Sequence, residues 1–301
     1  MEVLVTGATG LIGTAVADRL LADGHEVHAL CRRERACRAL ACRGLRPLPG
    51  DLGQLADWTG RLAEVDAVVH AAATFDAAMA ATDAAFVDAL LDQGRDRSRT
   101  RAALRVVYTG GIWLYGDRPG SVIREGDSFD PPAEFDFMLA ARARLFEASD
   151  LSACVVHPGL VWRGEAGALA AFVDAARDGR APEMIGSGAG HWSLVHADDL
   201  AGLYARALTA GQAGADYHGV CDPGVTVGAV AGAIAAHYAA PQPRRLSVSR
   251  AMEVHGAAAR LYAYDQTMAA DWTQRALDWS PSRRVADAFP PGPGAPPATL
   301  R

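Results

Sequence analysis

The stretch Glu2-Val3-Leu4-Val5-Thr6-Gly7-Ala8-Thr9-Gly10-Leu11-Ile12-Gly13 decides the fold of this 301-residue chain. A short apolar strand runs into a turn with glycines at three-residue spacing, and an amphipathic helix over residues 11–21 follows. Gly7 permits the tight turn, Gly10 lets the backbone approach a pyrophosphate, and Gly13 lets the helix lie close to the strand. The helix N-terminus adds free N–H groups and partial positive charge. The stretch therefore predicts a dinucleotide-binding turn.

Apolar runs alternate with helical patterns through the first half of the chain. The predicted strands cover residues 2–6, 26–31, 46–50, 67–70, 105–109 and 153–157, and the predicted helices lie near 11–23, 34–43, 53–63, 76–93 and 136–149. This alternation predicts an α/β fold with a doubly wound parallel sheet, which is covered by helices on both faces. Ligands of such sheets lie beyond the carboxyl ends of the strands, where the strand order reverses.

The pattern changes after about residue 158. Helical patterns recur near 166–178, 198–210, 226–239, 250–259 and 265–276, with short strands predicted at 192–196 and 216–220. We predict a dinucleotide-binding domain over 1–158, its sheet completed by segments near 192–210, and a small substrate-binding lobe mainly over 159–281. Proline and glycine dominate from Pro281 onward, which predicts a flexible tail over 282–301.

Composition narrows the class of partner. The net charge is −6 and half of the residues are hydrophobic, and the sequence pI is about 5.8. This balance argues against nucleic acid or an anionic membrane as the partner and favours a small-molecule substrate. No window holds 18 consecutive apolar residues, and the first 20 residues follow a strand–turn–helix pattern. We therefore expect a cytoplasmic protein, and the sequence leaves a homodimer open.

Five cysteines are an odd number for a disulfide framework. Cys31, Cys37 and Cys42 lie close together in sequence, but they form no C-x-x-C pair and no histidine stands beside them. Because this spacing does not match a zinc site, we predict no metal centre. The expectation for a cytoplasmic chain is that all five cysteines are free thiols.

Several segments resemble known motifs in the order that one family shows. The stretch Thr6–Gly13 resembles the cofactor loop of the extended and atypical short-chain dehydrogenase/reductases, which include the NAD-dependent epimerase/dehydratase-like proteins. The other segments that resemble this family's motifs are Gly50-Asp51-Leu52 (G-D-L), Val68-Val69-His70-Ala71-Ala72-Ala73 (V-x-H-x-A), His157-Pro158-Gly159-Leu160-Val161-Trp162-Arg163-Gly164 (R-P-x-x-V-Y-G), Trp192-Ser193-Leu194-Val195-His196-Ala197-Asp198-Asp199-Leu200-Ala201 (W-x-x-V-H-V-D-D-L-A) and Leu277-Asp278-Trp279-Ser280-Pro281 (L-G-W-x-P). The resemblance covers residues 2–281.

The resemblance implies a set of cofactor contacts in this sequence. Asp51 would approach the adenine, and the strand end after His70 would lie along the cofactor. The residues implied in cofactor binding are Gly7, Thr9, Gly10, Leu11, Ile12, Gly13, Asp51, Leu52, Ala71, Ala72 and Ala73.

The choice of cofactor is predicted from charge. An NAD-binding enzyme usually has Asp or Glu at the end of the second strand, where it holds the ribose 2′-hydroxyl. That point falls at Leu30-Cys31-Arg32-Arg33, which holds no acid. Because an arginine can form a bidentate pair with a 2′-phosphate, we predict NADP(H), held chiefly by Arg32 with Arg33 as the second candidate. The alternative is that both arginines are solvated and only open a basic helix.

The residues that carry acid–base chemistry in this family differ here. The resemblance implies a Ser or Thr four residues before Tyr115, but that position holds Gly111. The Tyr–Lys pair of the family would fall at Phe137 and Ala141, and the chain contains no lysine, since all 29 basic residues are arginine. The usual proton relay is therefore predicted to be missing.

Three functions remain open from the sequence. We favour an NADP(H)-dependent oxidoreductase that acts on a small carbonyl or hydroxyl compound in a biosynthetic tailoring role. In this enzyme a group other than the usual tyrosine would donate the proton. Redox-neutral isomerisation, dehydration or cyclisation is the main alternative, and a non-catalytic dinucleotide sensor is the third. The candidate catalytic residues are Tyr115, His157 and Thr109, with Tyr108 and His191 also at or near predicted strand ends.

Aromatic side chains indicate where a substrate would bind. Two predicted strand ends and a late loop carry Trp113, Tyr115, Trp162, His191 and Trp192. Such a cluster suits a flat or ring-bearing apolar substrate. The alternative for each member is packing in the core.

Overall fold

The computed structural model describes residues 1–97 and 102–290. The strands are β1 Glu2–Thr6, β2 Glu26–Cys31, β3 Arg46–Pro49, β4 Ala67–His70, β5 Leu104–Thr109, β6 Val122–Ile123, β7 Leu151–Pro158, β8 Leu160–Arg163, β9 Ala166–Gly167, β10 Glu183–Ile185, β11 His191–His196, β12 Asp216–Gly219, β13 Asp222–Thr226, β14 Arg244–Leu246 and β15 Thr267–Met268. The α-helices are α1 Leu11–Ala22, α2 Glu34–Cys42, α3 Met79–Arg97, α4 Asp136–Glu147, α5 Ala170–Arg177, α6 Ala197–Ala210, α7 Val227–His237, α8 Val248–His255, α9 Asp271–Leu277 and α10 Val285–Ala288.

The main sheet has seven parallel strands in the order β12-β7-β5-β4-β1-β2-β3. The chain builds outward from β1 to β3, then crosses to the other side of β1 and continues with β4. The strand order therefore reverses between β1 and β4. A ligand crevice is expected at this point, beyond the carboxyl ends of both strands.

Helices cover both faces of this sheet, and the central strands β1, β4 and β5 are buried on both sides, whereas the edge strand β3 is partly exposed. Val3 and Val5 of β1 pack into one core, and Leu4 packs into the core on the opposite face. This alternation follows from the two-residue period of a strand. Helices α1 and α6 pack against each other, as do α3 and α4. The predicted doubly wound α/β fold is confirmed.

The later part of the chain adds smaller sheets beside the main one. A four-stranded sheet has the order β13-β11-β8-β9, and two further pairs join β10 to β14 and β6 to β15. The prediction that segments near 192–210 complete the main sheet differs from the structure. Strand β11 pairs with β8 in the second sheet, whereas β12 supplies the edge strand of the main sheet beside β7.

Two predicted helices have a different form. The segment 53–63 folds as two 3-10 helices, Leu55–Asp57 and Thr59–Ala63, because Gly60 disfavours an α-helix by about 1 kcal/mol and buried Trp58 fixes the chain between them. The segment 265–276 begins with β15, and its helix starts only at Asp271. The Gln266 amide donates to the carbonyl of Ile112 at 2.9 Å, which holds this segment extended.

The cysteines and the tail also differ from the sequence-based expectations. Cys31 and Cys37 form a disulfide, whereas Cys42, Cys154 and Cys221 are free. Residues 282–290 of the predicted tail are ordered and contain α10, with Val285 and Phe289 buried. The remaining predicted tail residues, 291–301, lie outside the described residues. Within the described residues, no helix has the length and apolar character that a membrane span requires.

Candidate active site

The turn after β1, residues 7–13, forms a cradle at the point where the strand order reverses. Gly7 has a φ of +74°, and a Cβ there would lie 2.6 Å from the carbonyl carbon of Ala71. A Cβ at Gly13 would lie 2.5 Å from the carbonyl carbon of Gly7. Helix α1 begins after Gly10 with no side-chain cap, which leaves the first N–H groups available to an anion. The cradle therefore fits a dinucleotide, and Thr9 is exposed within it.

The predicted adenosine end of the site lies at the carboxyl ends of β2 and β3. Arg32 and Arg33 are exposed here, and Arg33 is the N-terminal cap residue of α2. The Arg32 Nη1 atom lies 3.9 Å from Asp51 Oδ2, and the Asp51 Oδ1 atom accepts a hydrogen bond from the Gly53 N–H at 2.9 Å. The structure therefore brings together the two side chains that the sequence assigns to the 2′-phosphate and the adenine.

A cavity of about 520 Å³ begins at this cradle. Its wall includes Leu11 and Ile12 of α1, Leu52, and the segment 71–73 after β4. It continues past Thr109–Gly111 at the end of β5 to Trp113. Most of the lining side chains are apolar or small, which is typical of a site for a small organic ligand.

The position that the resemblance aligns with the family tyrosine lies on this wall. Phe137 lines the cavity, and Ala141 is buried one turn farther along α4. Gly111, at the position of the family Ser or Thr, also lines the cavity. A phenyl ring and a glycine carry no proton that could be donated to a substrate.

Two of the predicted catalytic side chains lie behind the cavity, not on its wall. The Tyr115 hydroxyl lies 2.7 Å from His218 Nε2, and Tyr115 is almost fully buried. Burial is the main reason that the pKa of Tyr115 is raised well above its usual value. His157 is completely buried, and its Nε2 atom lies 2.9 Å from Asp216 Oδ1. Neither residue is among those that line the cavity.

Asp216 anchors this buried group. Burial opposes its ionisation, but hydrogen bonds from Arg142 and His157 lower the pKa of Asp216 to about 2. Because the carboxylate is ionised, the His157 Nε2–H donates to it, and His157 Nδ1 accepts the Gly111 N–H at 3.4 Å. His157 therefore acts on the cavity only through the backbone of the Gly110–Gly111 loop.

Two of the candidate catalytic residues line the cavity, Tyr108 and Thr109. The Thr109 hydroxyl lies 2.7 Å from the hydroxyl of Tyr204, a fully buried residue of α6. This contact orients the threonine side chain, and a hydroxyl so held can bond a substrate oxygen.

Of the five residues in the predicted aromatic cluster, Trp113 lines the cavity, whereas Tyr115, described above, and the other three do not. Trp162 packs edge-on against His196, with ring centroids 4.7 Å apart. Trp192 stacks on Phe172 with centroids 5.5 Å apart. The His191 Nδ1 atom lies 2.8 Å from Asp265 Oδ1. These three rings are held by packing or hydrogen bonds within the second sheet and its surroundings.

The sequence analysis named Tyr108 as a candidate but missed the polar cluster on the cavity wall to which it belongs. His70 lies between Thr6 and Asp83, with Nδ1 2.7 Å from the Thr6 hydroxyl and Nε2 3.1 Å from Asp83 Oδ1. The Tyr108 hydroxyl donates to the same Asp83 oxygen at 2.9 Å. His70 and Tyr108 end neighbouring strands, which is a signal that sequence can carry. Asp83 lies inside α3, and no local pattern marked it.

Comparison with known proteins assigns the family. The model of the family described as "NAD dependent epimerase/dehydratase family" matches residues 3–220 of this chain. The chain belongs to this family. An uncharacterised protein of Schizosaccharomyces pombe is 27% identical over 292 residues, which cover 94% of this chain and 95% of that protein. A UDP-glucose 4-epimerase of Mycolicibacterium smegmatis is 30% identical over 232 residues, covering 69% of this chain and 73% of the epimerase.

Solved structures show the same fold at low sequence identity. The UDP-glucose 4-epimerase of Thermotoga maritima, solved with UDP-glucose, has a TM-score of 0.80 and 17% identity, with 96% of each chain covered. The human epimerase family protein SDR39U1, solved with NADPH, has a TM-score of 0.74 and 22% identity, with 96% of this chain and 98% of the human chain covered. This family member therefore has the fold of the extended short-chain dehydrogenase/reductases.

Proposed function

We propose that this protein binds NADP(H) and transfers hydride between it and a small carbonyl or hydroxyl compound. The observation that carries the proposal is the continuity between the diphosphate cradle at Gly7–Gly13 and the largely apolar cavity that extends to Trp113. A bound dinucleotide would supply or accept the hydride. The family membership supports an enzyme on a nucleotide-binding scaffold.

Different residues of this chain would bind the cofactor and the substrate. The cradle holds the diphosphate, and Arg32 pairs with the 2′-phosphate. Thr109, held by Tyr204, bonds the substrate oxygen. The ionisable side chains on the described part of the cavity wall are His70, Asp83, Tyr108 and Tyr262. A proton donor that touches the substrate directly must come from these four.

The cofactor preference is tested by Arg32→Ala. We expect the affinity for NADPH to fall at least tenfold, because a charge-assisted pair with phosphate contributes about 1.5–3 kcal/mol. The affinity for NADH should stay the same. Arg38→Ala is the matched control, since Arg38 is equally exposed and pairs with Glu34 in α2. Titration of each variant with both nucleotides, followed by fluorescence, makes the comparison.

Equal affinity of the unmodified protein for NADPH and NADH would contradict the assignment of Arg32. Consumption of NADPH with a panel of small aldehydes and ketones would support the oxidoreductase. Titrations in which neither nucleotide binds would overturn the proposed function as a whole.

A redox-neutral reaction is the second candidate, and Phe137 is the observation that favours it. Because the family tyrosine position on the cavity wall holds a phenyl ring, net reduction of a carbonyl lacks its usual proton donor. Isomerisation, dehydration or cyclisation would consume no NADPH. Turnover of a sugar nucleotide with the total cofactor unchanged, followed by NMR, would separate this candidate from the first.

A further inference from the structure

A disulfide encloses the two arginines at the predicted adenosine end of the site. Cys31 is the last residue of β2, Cys37 lies in α2, and the bond joins them across a Cα–Cα distance of 5.8 Å. Arg32 and Arg33 are exposed and lie between the two cysteines in the chain. Because a cross-link over so short a stretch leaves few backbone conformations open, it restricts the segment that carries both arginines.

The two ends of the cross-link differ in how firmly the rest of the protein holds them. Cys31 is buried, and its carbonyl accepts the Gly50 N–H at 3.0 Å. In α2, all of which the structure describes, Leu40 is the one buried residue, and Ala36 is only partly buried. Apolar burial is what mainly holds a short helix in place. The disulfide is therefore a main attachment of the first turn of α2 to β2.

Thiol–disulfide exchange can open and close this bond. Cys37 is the expected point of attack, because it is partly exposed whereas Cys31 is 3% exposed. A thiolate of a dithiol reductant bonds to the Cys37 sulfur, the S–S bond breaks, and Cys31 leaves as a thiolate. The second thiol of the reductant then displaces Cys37 and closes the reductant's own disulfide. Two electrons and two protons thus pass to the protein, and glutathione disulfide reverses the change by becoming two molecules of glutathione.

We propose that Cys31 and Cys37 form a reversible thiol–disulfide site that sets the affinity for NADP(H), because the cross-link holds the two arginines where a 2′-phosphate binds. The inference rests on the proposed function, which makes the 2′-phosphate the ligand of these arginines. In the disulfide state Arg32 Nη1 lies 3.9 Å from Asp51 Oδ2, at the predicted adenosine end of the site. Reduction releases the first turn of α2 from β2, so the arginines must be ordered during binding, which weakens it. NADH has no 2′-phosphate and should bind equally in both states.

Mass spectrometry reads the covalent state of the pair without any nucleotide. The chain's other three cysteines are free, and arginines stand between positions 31 and 37. Trypsin therefore separates the two cysteines, and the peptides 20–32 and 36–38 stay joined only through the disulfide. We expect joined peptides from protein treated with glutathione disulfide and separate peptides from protein treated with dithiothreitol.

Both forms of the unmodified protein, Cys37→Ser and Cys42→Ser are then titrated with NADPH and with NADH, followed by fluorescence. Cys42 is the matched control, since it is a free, exposed cysteine of the same helix. We expect reduction to weaken NADPH binding about tenfold or more, the effect of one hydrogen bond to a charged group, and to leave NADH binding unchanged. Cys37→Ser should bind NADPH like the reduced protein under both conditions, and Cys42→Ser should respond like the unmodified protein. Thermal unfolding checks that each variant is folded.

Three results would overturn the inference while the proposed function stands. One is separate peptides after treatment with glutathione disulfide, and another is equal NADPH affinity of the oxidised and reduced unmodified protein. The third is an equal loss of affinity for NADPH and NADH on reduction, because the arginines are assigned to the 2′-phosphate alone. Binding of neither nucleotide in either state would overturn the proposed function and the inference together.

Discussion

At the scale of single residues, one departure from the family pattern depends on a neighbouring glycine. The resemblance places an arginine at position 157, whereas this chain has His157, which packs against Gly110. A Cβ at Gly110 would lie 2.6 Å from His157 Cε1. The buried imidazole therefore requires a residue without a side chain at position 110.

This coupling predicts the effect of Gly110→Ala. The imidazole is completely buried and held by Asp216, so it cannot move away, and overpacking of this kind costs about 1–3 kcal/mol. We expect the free energy of unfolding, measured with denaturant, to fall by that amount. Gly111→Ala is the control, because its added Cβ meets no atom within 4 Å and its backbone is extended at φ 172°. Equal stability of the two variants would show that the His157 ring can move aside, and would contradict the predicted steric clash.

Single positions were also where sequence reasoning about the site reached its limit. Period-two alternation puts Thr109 and Tyr108 on opposite faces of β5, yet both line the cavity, because it lies at the carboxyl end of that strand. The side chains of Tyr115 and His157 follow strand ends but turn toward β12 and its neighbours. Asp83 reaches the cavity only because α3 packs beside β4 and β5, a long-range contact with no local signal.

At the scale of elements, the strands of the main sheet were predicted within one or two residues. Short apolar runs such as residues 67–69 are typical of a central parallel strand, which is buried on both faces. The predictions failed where tertiary contacts override local pattern. The Gln266 side chain hydrogen-bonds two backbone carbonyls and extends a segment with helical periodicity.

Helix α10 in the C-terminal segment was not predicted, because proline and glycine dominate the sequence around it. Asp199 Oδ2 accepts the N–H groups of Ser282 and Arg283 at 2.8 and 2.7 Å, and Asp222 accepts the N–H of Val285 at 3.1 Å. The ring of Phe289 packs against Trp162, with centroids 6.4 Å apart. These contacts fasten the segment to α6 and β13.

Truncation tests the contribution of this element. A chain that ends at Pro281 loses the buried side chains of Val285 and Phe289, which contribute about 1.5–3 kcal/mol each. We expect its free energy of unfolding to fall by about 3–6 kcal/mol. A chain that ends at Pro290 keeps all of these contacts and is the control. Equal unfolding midpoints for the two truncated chains would contradict a structural role for residues 282–290.

At the scale of the whole molecule, a buried polar cluster joins the main sheet to the later part of the chain. His218 of β12 contacts Tyr115 through Nε2 at 2.7 Å and the Ala269 carbonyl through Nδ1 at 2.7 Å. A carbonyl only accepts, so Nδ1 carries the proton and Nε2 accepts the Tyr115 hydroxyl. The neutral imidazole is therefore the form that fits both partners, and burial lowers the pKa of His218 to about 4.

This arrangement makes global stability depend on pH. In the unfolded chain His218 takes up a proton near pH 6.5, whereas in the folded chain it does so only near pH 4. The stability that neutral His218 contributes is fully present above about pH 6.5 and is lost as the pH falls toward 4. In that pH range only the unfolded state binds the proton. A shift of this size corresponds to about 3 kcal/mol.

Denaturant unfolding at pH 7 and pH 4.5 should show the loss, and His218→Gln should lose less stability over the same interval. An NMR titration in which the His218 imidazole of the folded protein protonates near pH 6.5 would contradict this explanation, whatever the stability of the variant.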